Sequence, residues 1–298
     1  MPSAASPRPA PHDEERVGTR DLAHWPTAAG RLLVRLVARA AEVLARLFHW
    51  SVSNVALLLT AGAGLAFVWG LAAVTGEVYE DVVGRDGISV VDQPVLDAAV
   101  AARTPFRSEL ATDFTDVGGP VVMPILTVLV AGGLALVWRR WTPVILMAIA
   151  SLGSLAMTVT GKQLTGRARP PESLAVPPFE SSPSFPSGHT LNATVILGLT
   201  AYLFALWINR KRWRAVVVLV LGLLIVLMGL SRVFLGHHWL TDVVAGWAVG
   251  LAWLASVVTG HRVQVTLDRH RRGDGQGRAT PAMSRAQASP SRRKPSRS

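Results

Sequence analysis

No cysteine occurs in the 298 residues, so the fold holds no disulfide and thiol usage says nothing of the redox compartment. Charge is scarce: 16% of residues are Asp, Glu, Lys or Arg, where a soluble domain has about 25%. Lysine is confined to Lys162, Lys211 and Lys294. Residues 1–30 lack the apolar run of a secretory signal peptide, so insertion is expected to fall to the first transmembrane helix. No stretch of alternating apolar and polar residues suggests a transmembrane barrel, and there is no internal repeat. The net charge is +11, yet no basic face interleaved with aromatics accompanies it. That excludes a nucleic-acid-binding module and leaves anionic membrane lipid as the natural partner of the positive charge.

What the chain does have is apolar length. Half of it is hydrophobic, and six runs at 54–75, 120–138, 142–160, 190–207, 215–232 and 239–259 approach or reach the roughly 20 residues that cross a bilayer. The fold class expected is all-α, a polytopic membrane protein of six transmembrane helices. Three parts follow: a cytoplasmic N-terminal segment over 1–53, a membrane core over 54–259, and a basic, disordered cytoplasmic tail over 260–298. Residues 31–50 place Arg31, Arg35 and Arg39 on one helical face. They read either as an amphipathic helix on the membrane surface or as an extension of the first span.

Basic residues orient a membrane protein by favouring the cytoplasmic side. The N-terminal region, the Arg139-Arg140 turn, the loop at 209–214 and the tail are basic. The loop at 76–119 is acidic, with nine carboxylates against Arg85, Arg103 and Arg107. Both termini are therefore expected in the cytoplasm, with 76–119, 161–189 and 233–238 outside. Lys162, Arg167 and Arg169 break the rule, and basic residues kept on that side call for a reason.

The remaining ionisable residues near helix ends fall in three clusters, all in those outer loops or at their junctions. One runs from Lys162 through Arg167 and Arg169 to Pro170; the second is Pro186-Ser187-Gly188-His189; the third holds Ser231, Arg232, His237, His238 and Asp242. A phosphoryl-transfer site without metal needs fixed cations around the phosphate oxygens, a nucleophile, and an acid for the leaving group. Lys162, Arg169 and Arg232 can supply the charge, with arginine able to fork two oxygens. Ser187 suits a helix N-cap, and Gly188 lets backbone N–H groups approach a phosphate there. Asp242, one turn after His238, can hold Nδ1–H and leave Nε2 to attack. His189 is then the general acid, and afterwards the base for water.

In order and spacing these clusters match K-x6-R-P, P-S-G-H and S-R-x5-H-x3-D, and the chain resembles the type 2 phosphatidic acid phosphatase superfamily over roughly 54–259. The matching positions are Lys162, Arg169 and Pro170; Pro186 to His189; and Ser231, Arg232, His238 and Asp242. The resemblance implies a six-helix membrane core, a phosphohistidine intermediate, no metal and no other cofactor. The substrate expected is a lipid phosphate: an isoprenoid diphosphate such as undecaprenyl diphosphate, which is slightly favoured, phosphatidylglycerol phosphate, phosphatidate or diacylglycerol diphosphate. Two rival functions are a vanadate-dependent haloperoxidase, whose known members are soluble, and a non-catalytic lipid-binding protein, which would lack motif residues.

Plainer readings compete at single positions. Lys162 and Arg169 could be anchors at a helix end. His237, His238 and Asp242 could bind zinc, although three fixed cations nearby would repel a divalent ion. His237 itself reads as a neighbour of the site or a substrate contact. Arg167 reads as solvated or touching a lipid headgroup. Asp92 and Asp97 read first as a solvated acidic face and second as shaping substrate entry.

Overall fold

The computed structural model describes residues 16–17, 20–21, 32, 35–40, 42–44, 55–84 and 86–286. The chain divides into two compact units, Met1–Leu58 and Leu59–Ser298. In the first, β1 (Arg16–Val17) pairs antiparallel with β2 (Arg20–Asp21), Arg16 opposite Asp21. Residues 32, 35–40 and 42–44 are helical and exposed, and the rest of 31–50 lies outside the described residues.

Otherwise the described chain is helical. The spans are α1 (Val55–Gly84), α4 (Val122–Trp138), α5 (Thr142–Thr165), α6 (Gly188–Trp207), α7 (Lys211–Phe234) and α8 (Leu240–Ala286). Between α1 and α4 come a 3-10 turn (Gly87–Val91) and two short helices, α2 (Asp92–Ala101) and α3 (Pro105–Asp116). Five of the six apolar helices have at least 18 residues in their membrane-compatible stretch; α4 has 17. At 1.5 Å per residue α4 reaches about 26 Å, just short of a hydrocarbon core of about 30 Å. All six expected spans are present.

Most helices outrun the apolar run that announced them. Apolar composition stops at the membrane surface, but Glu77, Glu80 and Asp81 at the end of α1 are compatible with a helix and carry it to Gly84. The last helix likewise continues to Ala286, beyond residue 260 where the composition changes. Thr104 caps α3 by accepting from the Arg107 N–H at 3.2 Å, with Pro105 at the first helical position.

The centre of the bundle is α6. Within its most apolar window 56% of residues are buried, against 28% in α5 and α7 and none in α1. Leu191, Val195, Leu199 and Leu203 form a stripe of fully buried side chains at four-residue spacing, packed among Met147 and Ala150 of α5 and Met228 of α7. The opposite condition holds on α7, whose Leu219, Leu223 and Val226 stay exposed. So much uncovered apolar surface suits a hydrocarbon solvent and would not suit water.

Close approach of α6 and α8 depends on two glycines one turn apart. A Cβ on Gly246 would sit 3.0 Å from Thr190 Cβ and 3.1 Å from the Ser187 carbonyl oxygen; one on Gly250 would sit 2.8 Å from Thr194 Cβ. Small residues at four-residue spacing let two backbones pack this closely, which matters most where no hydrophobic effect drives helices together. Because one obstacle at Gly246 is backbone, the helices must separate to admit a larger side chain. Gly246→Val is expected to cost about 1–3 kcal/mol, read as a lowered thermal unfolding midpoint in detergent, whereas Gly222→Ala, which meets nothing within 4 Å, should leave the midpoint nearly unchanged.

Candidate active site

At one end of the second unit the connections after α1, α5 and α7 meet. Gly236, with φ +74°, makes the turn from α7 into His237 and His238, and a side chain there would strike the Leu174 carbonyl oxygen 2.4 Å away. His238 thereby lands beside Asp242 in the first turn of α8.

Asp242 is fully buried and held from several directions. Its Oδ2 accepts from the Trp239 N–H at 2.9 Å and from the Ser184 hydroxyl, and its Oδ1 accepts from Arg167 Nη1 at 2.5 Å. His238 Nδ1 lies 3.4 Å from Oδ2 and 3.3 Å from Ser184 Oγ. At that distance the carboxylate orients the ring loosely, and Ser184 lies close to both groups. On the other side of the ring Nε2 lies 3.2 Å from Arg169 Nη1. Arginine can only donate, so Nε2 carries the lone pair and Nδ1 the proton. Burial lowers the His238 pKa, Asp242 pulls it back up, and Arg232 and Arg169 push it down further, to about 4. The imidazole is neutral at pH 7.

The cations surround this nitrogen. Arg169 also donates to the His237 carbonyl at 2.6 Å and to the Ser182 carbonyl at 2.7 Å. Arg232 is buried in the last turn of α7 and donates to Thr115 Oγ1 at 3.3 Å. Lys162 Nζ donates to Ser182 Oγ at 2.8 Å and to the Pro183 carbonyl at 2.6 Å. Helix α6 starts at Gly188, so its first N–H groups have no intrahelical carbonyl. Ser187, the N-cap residue, is fully buried; its N–H bonds the Asp242 carbonyl at 3.0 Å and its hydroxyl accepts from Thr190. His189 makes no hydrogen bond to the described residues and borders a cavity of about 1000 Å³. That cavity has Lys162, Gly188, His189 and His238 at one end and apolar residues of α4 and α5, among them Val128, Ala131 and Leu155, along the rest. The structure thus brings all eight residues singled out from the sequence to one place.

Two sequence expectations need correction, those for Arg167 and Asp92. Arg167 is neither solvated nor free to meet a headgroup: it bridges Asp242 and Asp92, donating to Asp92 Oδ2 at 2.7 Å and to Thr241 Oγ1 at 2.8 Å. Asp92 is accordingly buried, and it also accepts from the Thr241 N–H and hydroxyl at 2.9 and 2.6 Å. The partners lie 75 residues apart, so no local pattern could expose them. His237 is buried and its Nε2–H donates to the Val176 carbonyl at 2.6 Å, anchoring the loop. Burial, then the charge of Arg232, lowers its pKa. That bond turns its Nε2 away from His238 and Asp242, and no set of three His, Asp or Glu side chains converges on a metal position among the described residues.

The sequence reading missed Glu180. This carboxylate bonds Arg169 Nη2 at 2.7 Å through Oε2 and Arg232 Nη2 through Oε1. Burial works to raise its pKa, but Arg232 and Arg169 outweigh that and lower it to about 2. No motif contains Glu180, and a lone acid in a loop carries no signal.

Residues 121–265 match the PAP2 superfamily model. The chain is 30% identical to phosphatidylglycerophosphatase B of Bacillus subtilis (strain 168) over 167 residues, 56% of this chain and 81% of that protein. Its fold resembles the crystal structure of a transmembrane PAP2-type phosphatidylglycerolphosphate phosphatase from Bacillus subtilis. The TM-score is 0.58 at 26% identity, over 67% of this chain and 96% of that one.

Arg167 gives the sharpest test of this arrangement. Removing one partner of a buried ion pair strands the other charge. Arg167→Ala should cost about 3–5 kcal/mol, seen as a lowered unfolding midpoint, whereas Lys211→Ala on an exposed helix end should stay within about 0.5 kcal/mol of the parent.

Proposed function

We infer the reaction from one premise: the chain belongs to the PAP2 superfamily and is a multi-pass membrane phosphatase acting on lipid phosphates. The substrate class proposed is a glycerophospholipid bearing a terminal phosphate monoester, of the phosphatidylglycerol phosphate type. One observation carries this: a single cavity has Lys162, Glu180 and two histidines at one end and apolar helix faces along the rest. An amphiphile can leave its chains against α4 and α5 while its phosphate reaches His238. The similarity to phosphatidylglycerophosphatase B moves the choice from an isoprenoid diphosphate to this class.

In the mechanism, Nε2 of neutral His238 attacks phosphorus and the bond from phosphorus to the lipid oxygen breaks. His189 gives that oxygen a proton, and the phosphoryl group stays on His238 as a phosphohistidine. Water, deprotonated by His189, then releases inorganic phosphate. Arg169, Arg232, Lys162 and the N–H groups opening α6 from Gly188 bear the equatorial oxygen charge, while the Ser187 N–H stays on the Asp242 carbonyl. Asp242, with Ser184 and Arg167, keeps the proton on Nδ1 and the lone pair on Nε2. No step needs a metal ion.

Turnover of a panel of lipid phosphates, with phosphatidylglycerol phosphate, phosphatidate and undecaprenyl diphosphate side by side, tests the reading. Phosphatidylglycerol phosphate should give the highest kcat/KM, chelators should not inhibit, and His238→Ala should abolish both turnover and acid-labile phosphoenzyme. The acid limb of kcat/KM should fall near pH 4, since only neutral His238 attacks and its pKa is lowered to about 4. A limb at the ordinary histidine value of about 6.5 would count against a buried neutral nucleophile.

The site is proposed to face outward, with both termini in the cytoplasm and the catalytic unit spanning 54–259. The basic turns at 139–140 and 209–214 against the acidic 76–119 loop support that orientation. A single cysteine replacing exposed Ser173 or Ala101 should react with an impermeant maleimide in intact cells, and one replacing Asn209 only after lysis. The reverse pattern would invert the topology.

A further inference from the structure

Glu180 stands where the mechanism needs phosphate. Its two oxygens take one N–H each from Arg169 and Arg232, the same pair that must fork the phosphoryl oxygens. It also borders two cavities. On one side is the apolar cavity that ends at His189 and His238; on the other is a separate cavity of about 540 Å³ lined by polar loop residues, among them Arg167, Glu172 and Ser182. Glu180 and Ser182 belong to both, so together they form the wall between them. The side chain is 30% exposed, so it has somewhere polar to go.

We propose that Glu180 is a built-in carboxylate competitor that sets the affinity a ligand must reach to occupy the site, a threshold that a phosphate monoester clears and a phosphodiester at its membrane concentration does not. The reasoning is electrostatic. A carboxylate and a phosphodiester each carry one negative charge, so a diester gains little over the group it must evict. A monoester dianion brings a second charge and a third terminal oxygen to the arginines and Lys162. Bilayer phospholipids are diesters with the same chains as the substrate, and they fit the apolar cavity equally well. Without a competitor they would occupy the site by concentration alone. Glu180, its pKa lowered to about 2, stays charged through the working range, so the pH dependence of the selection comes from the monoester, which gains its second charge above about pH 6. Once displaced, the carboxylate turns into the polar cavity and the arginines close on phosphate.

This rests on the phosphatase reading, and the experiment separates the two. Turnover of a lipid phosphate monoester in mixed micelles is measured with phosphatidylglycerol, a diester, as inhibitor and separately with vanadate. In Glu180→Gln and Glu180→Ala the inhibition constants for both should fall roughly tenfold or more, with KM falling and kcat not rising. Inhibition by phosphatidylglycerol that is unchanged or weaker in both variants overturns the proposal. A rise in KM with weaker vanadate binding would instead make Glu180 a brace for the arginines, and overturns it equally. The vanadate-induced rise in unfolding temperature reads binding without turnover. Thus a wild-type protein that hydrolyses no lipid phosphate refutes the phosphatase reading, while the vanadate arm still decides the role of Glu180.

Discussion

Charge buried beside a membrane has to be balanced where it stands, and this site is organised by that constraint. Four cations, Lys162, Arg167, Arg169 and Arg232, share one end of the bundle with three carboxylates, Asp92, Glu180 and Asp242. Two of the carboxylates are buried and shared by one arginine, Arg167, so that part of the ledger is closed within the fold. The third, Glu180, is the one with access to water and the one that spans Arg169 and Arg232, the arginines proposed to bind phosphate. An uncompensated pair of guanidiniums in such a place would be costly, and so would a permanent, fully buried counter-ion that no substrate could replace. A partly exposed carboxylate meets both conditions.

The same balance ties fold to chemistry. Asp92 opens α2 in the connection between α1 and α4, yet it holds the backbone N–H and hydroxyl of Thr241, one residue before Asp242. Through Arg167 it also reaches the Asp242 carboxylate. The start of α8, which carries the group that orients His238, is therefore fixed by a loop whose sequence reads as a plain acidic cover. At the other face α6 is held against α8 by Gly246 and Gly250, and its first residues, Ser187 to His189, arrive at His238 because that contact is close.

What the sequence made legible follows from this. The six spans could be read because hydrocarbon imposes length and composition on each helix separately. The eight candidate site residues could be read because they belong to three motifs whose order and local spacing match a known signature, and charge placement alone had already put their loops on one side. Arg167, Asp92, Ser184 and Glu180 could not, because each owes its role to a partner between 11 and 75 residues away. Burial changes what such residues are. Asp92 in a nine-carboxylate loop looks solvated until Thr241 and Arg167 are found against it.

Arg169 faces two ways. One Nη group donates toward the lone pair of His238 Nε2, and the other grips Glu180. While Glu180 is in place, the nucleophile's lone pair is engaged and the phosphate position is filled, and a single guanidinium does both. A phosphate taking the place of Glu180 would draw the same N–H groups onto its oxygens, since a charge-assisted bond to phosphate is stronger than one to a neutral imidazole. The lone pair would then be released at the moment phosphorus comes within reach of it. On the mechanism proposed, binding of the right anion and release of the His238 lone pair would be one movement of the Arg169 guanidinium.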